Sequence, residues 1–326
     1  MKLTASIAAT ALAAVTLNAS AETLRVSHQW SEADVRHKVA EIVAEEVAAA
    51  GVDLELQIFP SQSLFKAREQ YKPLARGQVD MIVFPLSYAG GLRNAYNLTL
   101  MPGLVKNHDH AARLNESEFM HEIERILDED DIKVLVHGYL AGGFAGTDEC
   151  ITSPEDAQGK QMRAAGKAFE QMLAGAGASI ASMASSEIYN AMQTGVLDGA
   201  NTSSASFVSF RIYEQVACFT PAGDYALWFM YQPMLMNKSV FEGLTTEQQE
   251  ALLAGAAKAQ AFYLEEAKKQ DGMAREIFAE NGVEIAEMTA EEFEAWRAIA
   301  QETAYKAFLE GSPEGKKLLD LALSVE

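Results

Sequence analysis

Apolar residues recur along this chain with two different periods, and the switching between them predicts the elements. Thr23 to Ser27 alternates and predicts a first strand. Val35, Val39, Ile42, Val43 and Val47 then recur at helical spacing, with Gly51 as a left-handed stop. Ser31-Glu32-Ala33-Asp34 resembles a capping box with Asp in place of the usual Glu or Gln, so the helix is expected to be capped there. Leu54, Leu56 and Ile58 alternate with Asp53, Glu55 and Gln57 in a half-buried strand, which Phe59-Pro60-Ser61 breaks. The spacing predicts a helix from about 65 to 76, a stop at Gly77 and an apolar strand over 79–84. This order predicts a mostly parallel sheet covered by helices.

The same grammar returns later. A helical stretch over 187–194 stops at Gly195, and Leu197-Asp198 leads into a strand, as Gly77 and Val79-Asp80 do earlier. The echo suggests two α/β lobes of similar build. Thr245 to Gln248 caps a long helix to about 270, with more helix to Asn281-Gly282 and a short strand over 283–288. Thr289 to Glu292 is another capping box, opening a helix with Phe293 and Trp296. No low-complexity linker occurs, so strands crossing between the lobes are expected to join them.

Length agrees with two lobes, because 326 residues exceed what one core usually serves. The first residues stand apart. Lys2, an apolar run over 5–17 and Ala19-Ser20-Ala21 form the three parts of a secretory signal, expected over 1–21. No later stretch approaches about 18 uninterrupted apolar residues, so no membrane insertion is expected. The formal charge of −20 repels phosphate backbones and anionic lipid, which argues against nucleic acid and membrane surfaces. An anionic ligand would need a local cation. Cys150 and Cys218 allow one disulfide, but spacing alone leaves their pairing open.

Catalytic and cofactor motifs are missing. There is no G-x-S-x-G elbow, H-E-x-x-H helix or P-loop. Gly175-Ala176-Gly177-Ala178 lacks the third glycine of a dinucleotide fingerprint and reads as a turn. His108-Asp109-His110 reads as a solvated loop, and the other four histidines are scattered. No metal, cofactor or catalytic set is expected. The residue that stands out is Arg163, in Gly159-Lys160-Gln161-Met162-Arg163-Ala164-Ala165-Gly166. Its planar fork can hold a carboxylate through two parallel hydrogen bonds, although an ordinary surface arginine fits the same composition.

From these residues onward the chain resembles the solute receptors of tripartite ATP-independent periplasmic (TRAP) transporters, the DctP type. Ser153 to Arg163 is similar to the family's segment before its ligand-binding arginine. Ser186 to Gly195 followed by Leu197-Asp198-Gly199 is similar to S-E-x-Y-x-A-L-Q-x-G-x-x-D-G. Phe59 to Leu64 resembles an early P-x-x-x-L loop, and Gly77 to Asp80 a G-x-x-D. The resemblance implies a type II periplasmic binding protein-like fold: two α/β lobes with mixed sheets flanked by helices, and a long C-terminal helix across both. Residues 22–145 with 234–270 would form lobe I, and 146–233 with 271–326 lobe II. It implies a non-enzymatic, monomeric periplasmic receptor for a small organic acid, partnered by a sodium-coupled permease. An ATP-driven transporter's binding protein and an exported hydrolase remain alternatives.

The resemblance also makes Arg163 the carboxylate clamp, Asn201 and Thr202 its neighbouring donors, and Gln29, Trp30, Phe84 and Tyr88 the opposite rim. Trp228 and Phe144 become candidates to enclose the ligand body, and Lys66 falls near a ligand position. Departures matter. Where some members carry a second arginine the chain reads Gly142-Gly143-Phe144-Ala145, and Ala164-Ala165 replaces the usual hydrophobic residue and proline after Arg163. One assured cation favours a monocarboxylate with an apolar or aromatic body over a dicarboxylate.

Overall fold

A computed structural model describes residues 22–326; the expected signal peptide lies outside the described residues. Strands β1 (Glu22–Ser27), β2 (Leu54–Phe59), β3 (Met81–Val83) and β4 (Ile132–Val136) come first in the chain. They are followed by β5 (Tyr139–Gly146), β6 (Gln161–Ala164), β7 (Ser179–Ser182), β8 (Gly199–Ser203), β9 (Cys218–Thr220) and β10 (Trp228–Tyr231). Finally come β11 (Met234–Asn237) and β12 (Glu284–Ile285). One sheet has the order β2-β1-β3-β11-β4, the other β12-β9-β5-β8-β6-β7 with β10 paired to β5. In the first, β1 runs parallel to β2 and β3, whereas β11 is antiparallel to β3 and β4. The second mixes directions likewise. Each sheet is the floor of one lobe.

The chain passes from the first sheet to the second at His137-Gly138, between β4 and β5, and returns at Gln232-Pro233, between β10 and β11. The Gln232 N–H donates to the Gly138 carbonyl at 2.8 Å, so the two crossings form one ribbon. A third connection is the helix Thr246–Glu280, a single 35-residue element capped by the expected Thr245–Gln248 box. Its Ala251, Leu252, Ala256, Ala259 and Tyr263 pack with Val39, Val43 and Val47 of the helix Val35–Ala50. Its Ala274 and Phe278 pack with Phe207 and Phe219 of the other lobe. Each fully buried large side chain contributes about 1.5–3 kcal/mol, so both ends of this helix are firmly anchored.

Several expectations shift. The first helix is capped by Asp34, whose carboxylate accepts from the Arg36 N–H at 2.9 Å, three residues past the expected cap. The helix expected over 65–76 is a short 3-10 turn, Ala67–Glu69, followed by a helix at Tyr71–Ala75. Pro73 has no N–H to donate and is tolerated only in a first turn, so the helix restarts just before it. His108 and His110 lie in the helix His108–Asn115 rather than a solvated loop. His110 is buried against the Val325 carbonyl, and His108 bonds Asp271 at 2.7 Å.

Strand β5 belongs to the second sheet although 139–145 was expected in lobe I. The end of the chain crosses back as well: Phe308, Leu318, Leu319 and Ala322 join the core of Met120, Ile123 and Leu127 beside the first sheet. The apolar stripe of Gly315–Leu323 matches that of Glu118–Asp128, and this packing decides the side. Cys150 and Cys218 are bonded, their Cα atoms 4.9 Å apart, tying β9 to the loop after β5.

Candidate functional site

Strand β6 places Arg163 beside Ala200 of β8, with Met162 and Ala164 turned into the core of Phe169 and Trp296. Alternation therefore turns Arg163 to the opposite face, and its guanidinium ends in the gap between the lobes. Only 1 % of Arg163 is exposed. Its Nε donates to the Met183 carbonyl at 3.1 Å, Nη1 to the Asn201 carbonyl at 2.6 Å, and Nη2 to the Tyr88 hydroxyl at 3.0 Å. All three partners are neutral, and among the described residues this cation forms no ion pair. Burial lowers its pKa from the ordinary arginine value, so an anion beside it would be stabilising.

Tyr88 comes from the other lobe, on the turn Leu86–Ala89 after β3. Burial alone would raise its phenol, yet Arg163, Arg68 and the N–H of Ser185 hold it below the ordinary tyrosine range. Arg68 lies 4.7 Å over the Tyr88 ring and donates to Ser182 Oγ and the Met183 carbonyl, both at 3.2 Å. Lys66, two residues earlier, is exposed, and Arg68 makes the interlobe contact instead.

The gap is nearly shut, with about 10 Å³ free, and is walled by Tyr88, Arg163, Ser185, Thr202, Ser203, Ser206, Trp228, Met230 and Gln232, among others. A larger groove of about 470 Å³ lies between Glu118–Asp128 and Lys238–Gly243. Its charges already neutralise one another, as in Lys238–Asp128 at 2.6 Å, so it calls for no ligand. The interlobe gap differs in kind. Around it, Gln29 Nε2, Trp30 Nε1, Trp228 Nε1 and Gln232 Nε2 are buried donors without a protein partner. Asn201 has neither Oδ1 nor Nδ2 satisfied. Register pairs Asn201 with Phe144 and Arg163 with Ala200, so the Asn201 side chain lies on the sheet face opposite Arg163 and only its carbonyl meets the guanidinium. Each unmade buried hydrogen bond costs roughly 1–3 kcal/mol, so such a cluster marks a place built for acceptors.

The expected rim residues divide. Gln29 reaches Ser185 of the other lobe, its Oε1 accepting at 3.4 Å. Trp30 is fully buried with its ring 4.0 Å beneath the Arg36 guanidinium. Thr202 and Trp228 line the gap, and Asn201 offers Arg163 its carbonyl. Phe84 packs edge-on beneath Tyr88, and Phe144 stacks on Trp296 at 5.5 Å, so both are core. The missing second arginine has a steric cause. A Cβ at Gly142 would lie 1.9 Å from the Thr202 carbonyl oxygen, and one at Gly143 equally close to that of Thr220.

Sequence reasoning missed Arg36 and Gln232. Arg36 is held by Asp34 through two bonds of 2.6 Å and donates across the lobes to Ser203 and Ser206 at 3.3 and 3.1 Å. The signal was there: Arg36, Val39, Ala40, Val43 and Val47 share one buried helical stripe. Behind them His28 Nε2 meets His37 Nδ1 at 3.0 Å, and burial, then His37, push His28 down to about 3.

Residues 26–311 match the model of bacterial extracellular solute-binding protein, family 7. The chain belongs to this family. Family 7 comprises the non-enzymatic receptors of TRAP transporters, which bind small organic acids. A solute-binding protein of Albidiferax ferrireducens is 34 % identical over 93 % of this chain and 92 % of its own. The C4-dicarboxylate-binding periplasmic protein DctP of Rhodobacter capsulatus is 26 % identical over 91 % of this chain and 90 % of its own. A TRAP solute-binding protein from Rhodoferax ferrireducens, solved with malonate, superposes with a TM-score of 0.89 at 34 % identity, covering 93 % of this chain and 98 % of that one. The two-lobe architecture is thereby that of the family 7 receptors. Among the described residues no helix is long and apolar enough to cross a membrane.

Proposed function

We propose that the chain is a periplasmic receptor that captures a short, acceptor-rich organic acid between its lobes and delivers it to a sodium-coupled TRAP permease. The observation that carries this is the buried Arg163 guanidinium, whose partners are all neutral. A carboxylate would supply the missing charge and displace the weaker Tyr88 contact. Contacts from Arg163 on one lobe and Tyr88, Gln29 and Trp30 on the other then favour closure, because both walls meet the ligand only when the gap shuts. The closed surface is what the permease would read.

The lining of the gap refines the ligand. Only about 10 Å³ of the gap is free, barely the space of one water, so the two walls already meet around the site and its lining, not its volume, indicates the ligand. Hydroxyls and unpaired N–H groups outnumber apolar walls there, which favours a polar body over an apolar or aromatic one. A single carboxylate on Arg163 suits one cation, with a second acceptor met by neutral donors. The Rhodoferax ferrireducens relative, solved with malonate, shows that a three-carbon acid with oxygens at both ends is within this family's range.

The test is a melting-shift and calorimetric screen of residues 22–326 with malonate, pyruvate, lactate, propionate and phenylacetate, repeated with Arg163→Ala. Shifts with the short polar acids, weakened about 30- to 1,000-fold by the substitution, are expected from truncating a buried charged contact. Full affinity in Arg163→Ala refutes the clamp, and preference for phenylacetate refutes the polar body.

A further inference from the structure

Gln232 sits in the returning crossover, 1 % exposed, where the ribbon between the lobes walls the gap. Its Oε1 accepts from Arg36 Nη1 at 2.8 Å. A guanidinium can only donate, so the amide cannot be flipped, and Nε2 must point away from Arg36. That Nε2 is buried without a protein partner. Arg36 is itself immobilised by the Asp34 carboxylate, by Ser203 and Ser206, and by the Trp30 ring beneath it. The Gln232 N–H is committed to Gly138, and its carbonyl faces the Tyr263 hydroxyl at 3.4 Å, which pins its main chain as well.

We propose that Gln232 reads the second acceptor of the ligand, and that Asp34 and Arg36 are positioning residues that aim its NH2 group into the gap. The proposal rests on the receptor reading and adds the class of ligand: a short acid whose carboxylate meets Arg163 and whose far end carries an oxo, hydroxyl or second carboxylate oxygen. An acid without that oxygen leaves the aimed N–H groups unpaired and binds more weakly. Discrimination of this kind comes from a site built to donate, because the wrong ligand strands its buried polar groups.

Titration calorimetry of residues 22–326 with malonate, pyruvate, butyrate and propionate tests it, using Gln232→Met and Gln232→Glu. The methionine keeps the volume and removes the donors. The glutamate keeps an acceptor for Arg36, which preserves folding, but turns an oxygen to the gap. Malonate and pyruvate are expected to weaken about 10- to 100-fold in both variants, while propionate and butyrate stay within about twofold in the methionine variant. Arg36→Lys is expected to reproduce part of the oxygen-dependent loss, because a point charge does not fix the amide as a fork does. Equal losses for all four acids, or none for malonate and pyruvate, overturn the inference. If Arg163→Ala abolishes binding while both Gln232 variants match the unmodified chain, this inference falls and the receptor reading stands. If the unmodified chain binds none of the four acids, both fall together.

Discussion

Asp34 performs two tasks at one position, and Asp34→Asn separates them. Its Oδ1 caps the helix Val35–Ala50, and both its oxygens hold the Arg36 fork. Asparagine caps a helix about as well as aspartate, so the cap contribution is retained. The charge is not. The two side chains are 0 % and 1 % exposed, and removing one partner of a buried ion pair costs about 3–5 kcal/mol through the charge left behind. The new amide NH2 also has no acceptor to face on a guanidinium. Urea unfolding, followed by tryptophan fluorescence because Trp30 packs against Arg36, measures the change in midpoint at constant slope. Breaking the exposed Lys316–Asp320 pair with Lys316→Met is the control and is expected to change nothing measurable. The double variant Asp34→Asn with Arg36→Met is expected to recover part of the loss, because the stranded charge goes with it. A loss below about 1 kcal/mol in Asp34→Asn, or no recovery in the double variant, would refute the reasoning.

Three further outcomes follow from other parts of the fold. Gly138→Ala places a Cβ 2.0 Å from the Tyr263 ring in the crossover ribbon, so a loss of about 1–3 kcal/mol is expected in the same urea assay. His28, pushed by burial from 6.5 down to about 3, takes up its proton more readily when unfolded. Its contribution is therefore complete above about pH 6.5 and is lost as pH falls towards 3, by at most about 1.4 kcal/mol per pH unit. His28→Asn is expected to flatten stability against pH in that window, and an unchanged slope counts against the assignment. Replacing Cys150 and Cys218 by serine opens a loop with a sequence separation of 68, for which chain entropy predicts a loss of about 4 kcal/mol. Equal urea midpoints for the two forms would argue that the bond contributes nothing.

Local pattern determined the elements and the family. Alternation in Leu54 to Ile58, the helical stripe from Val35 to Val47 and the boxes at Thr245 and Thr289 are set by residues a few positions apart, so they could be read directly. Arg163 was legible for another reason: a short segment around it resembled a family. What remained hidden depended on groups distant in sequence. Gln232 stands between Tyr231 and Pro233 with no local signal, and acquires a role only because Arg36, 196 positions away, fixes its amide. Phe84 and Asn201 look equally suited to a ligand in the sequence, yet packing sends one into the core and leaves the other's amide unpaired. The side taken by β5 and by the last helix followed from strand pairing and from facing apolar stripes, which are long-range contacts. The sequence thus determined which segments fold and where a cation is available. Tertiary structure alone decided which buried donors surround it, because burial and partnering are properties of the assembled gap rather than of any stretch of chain.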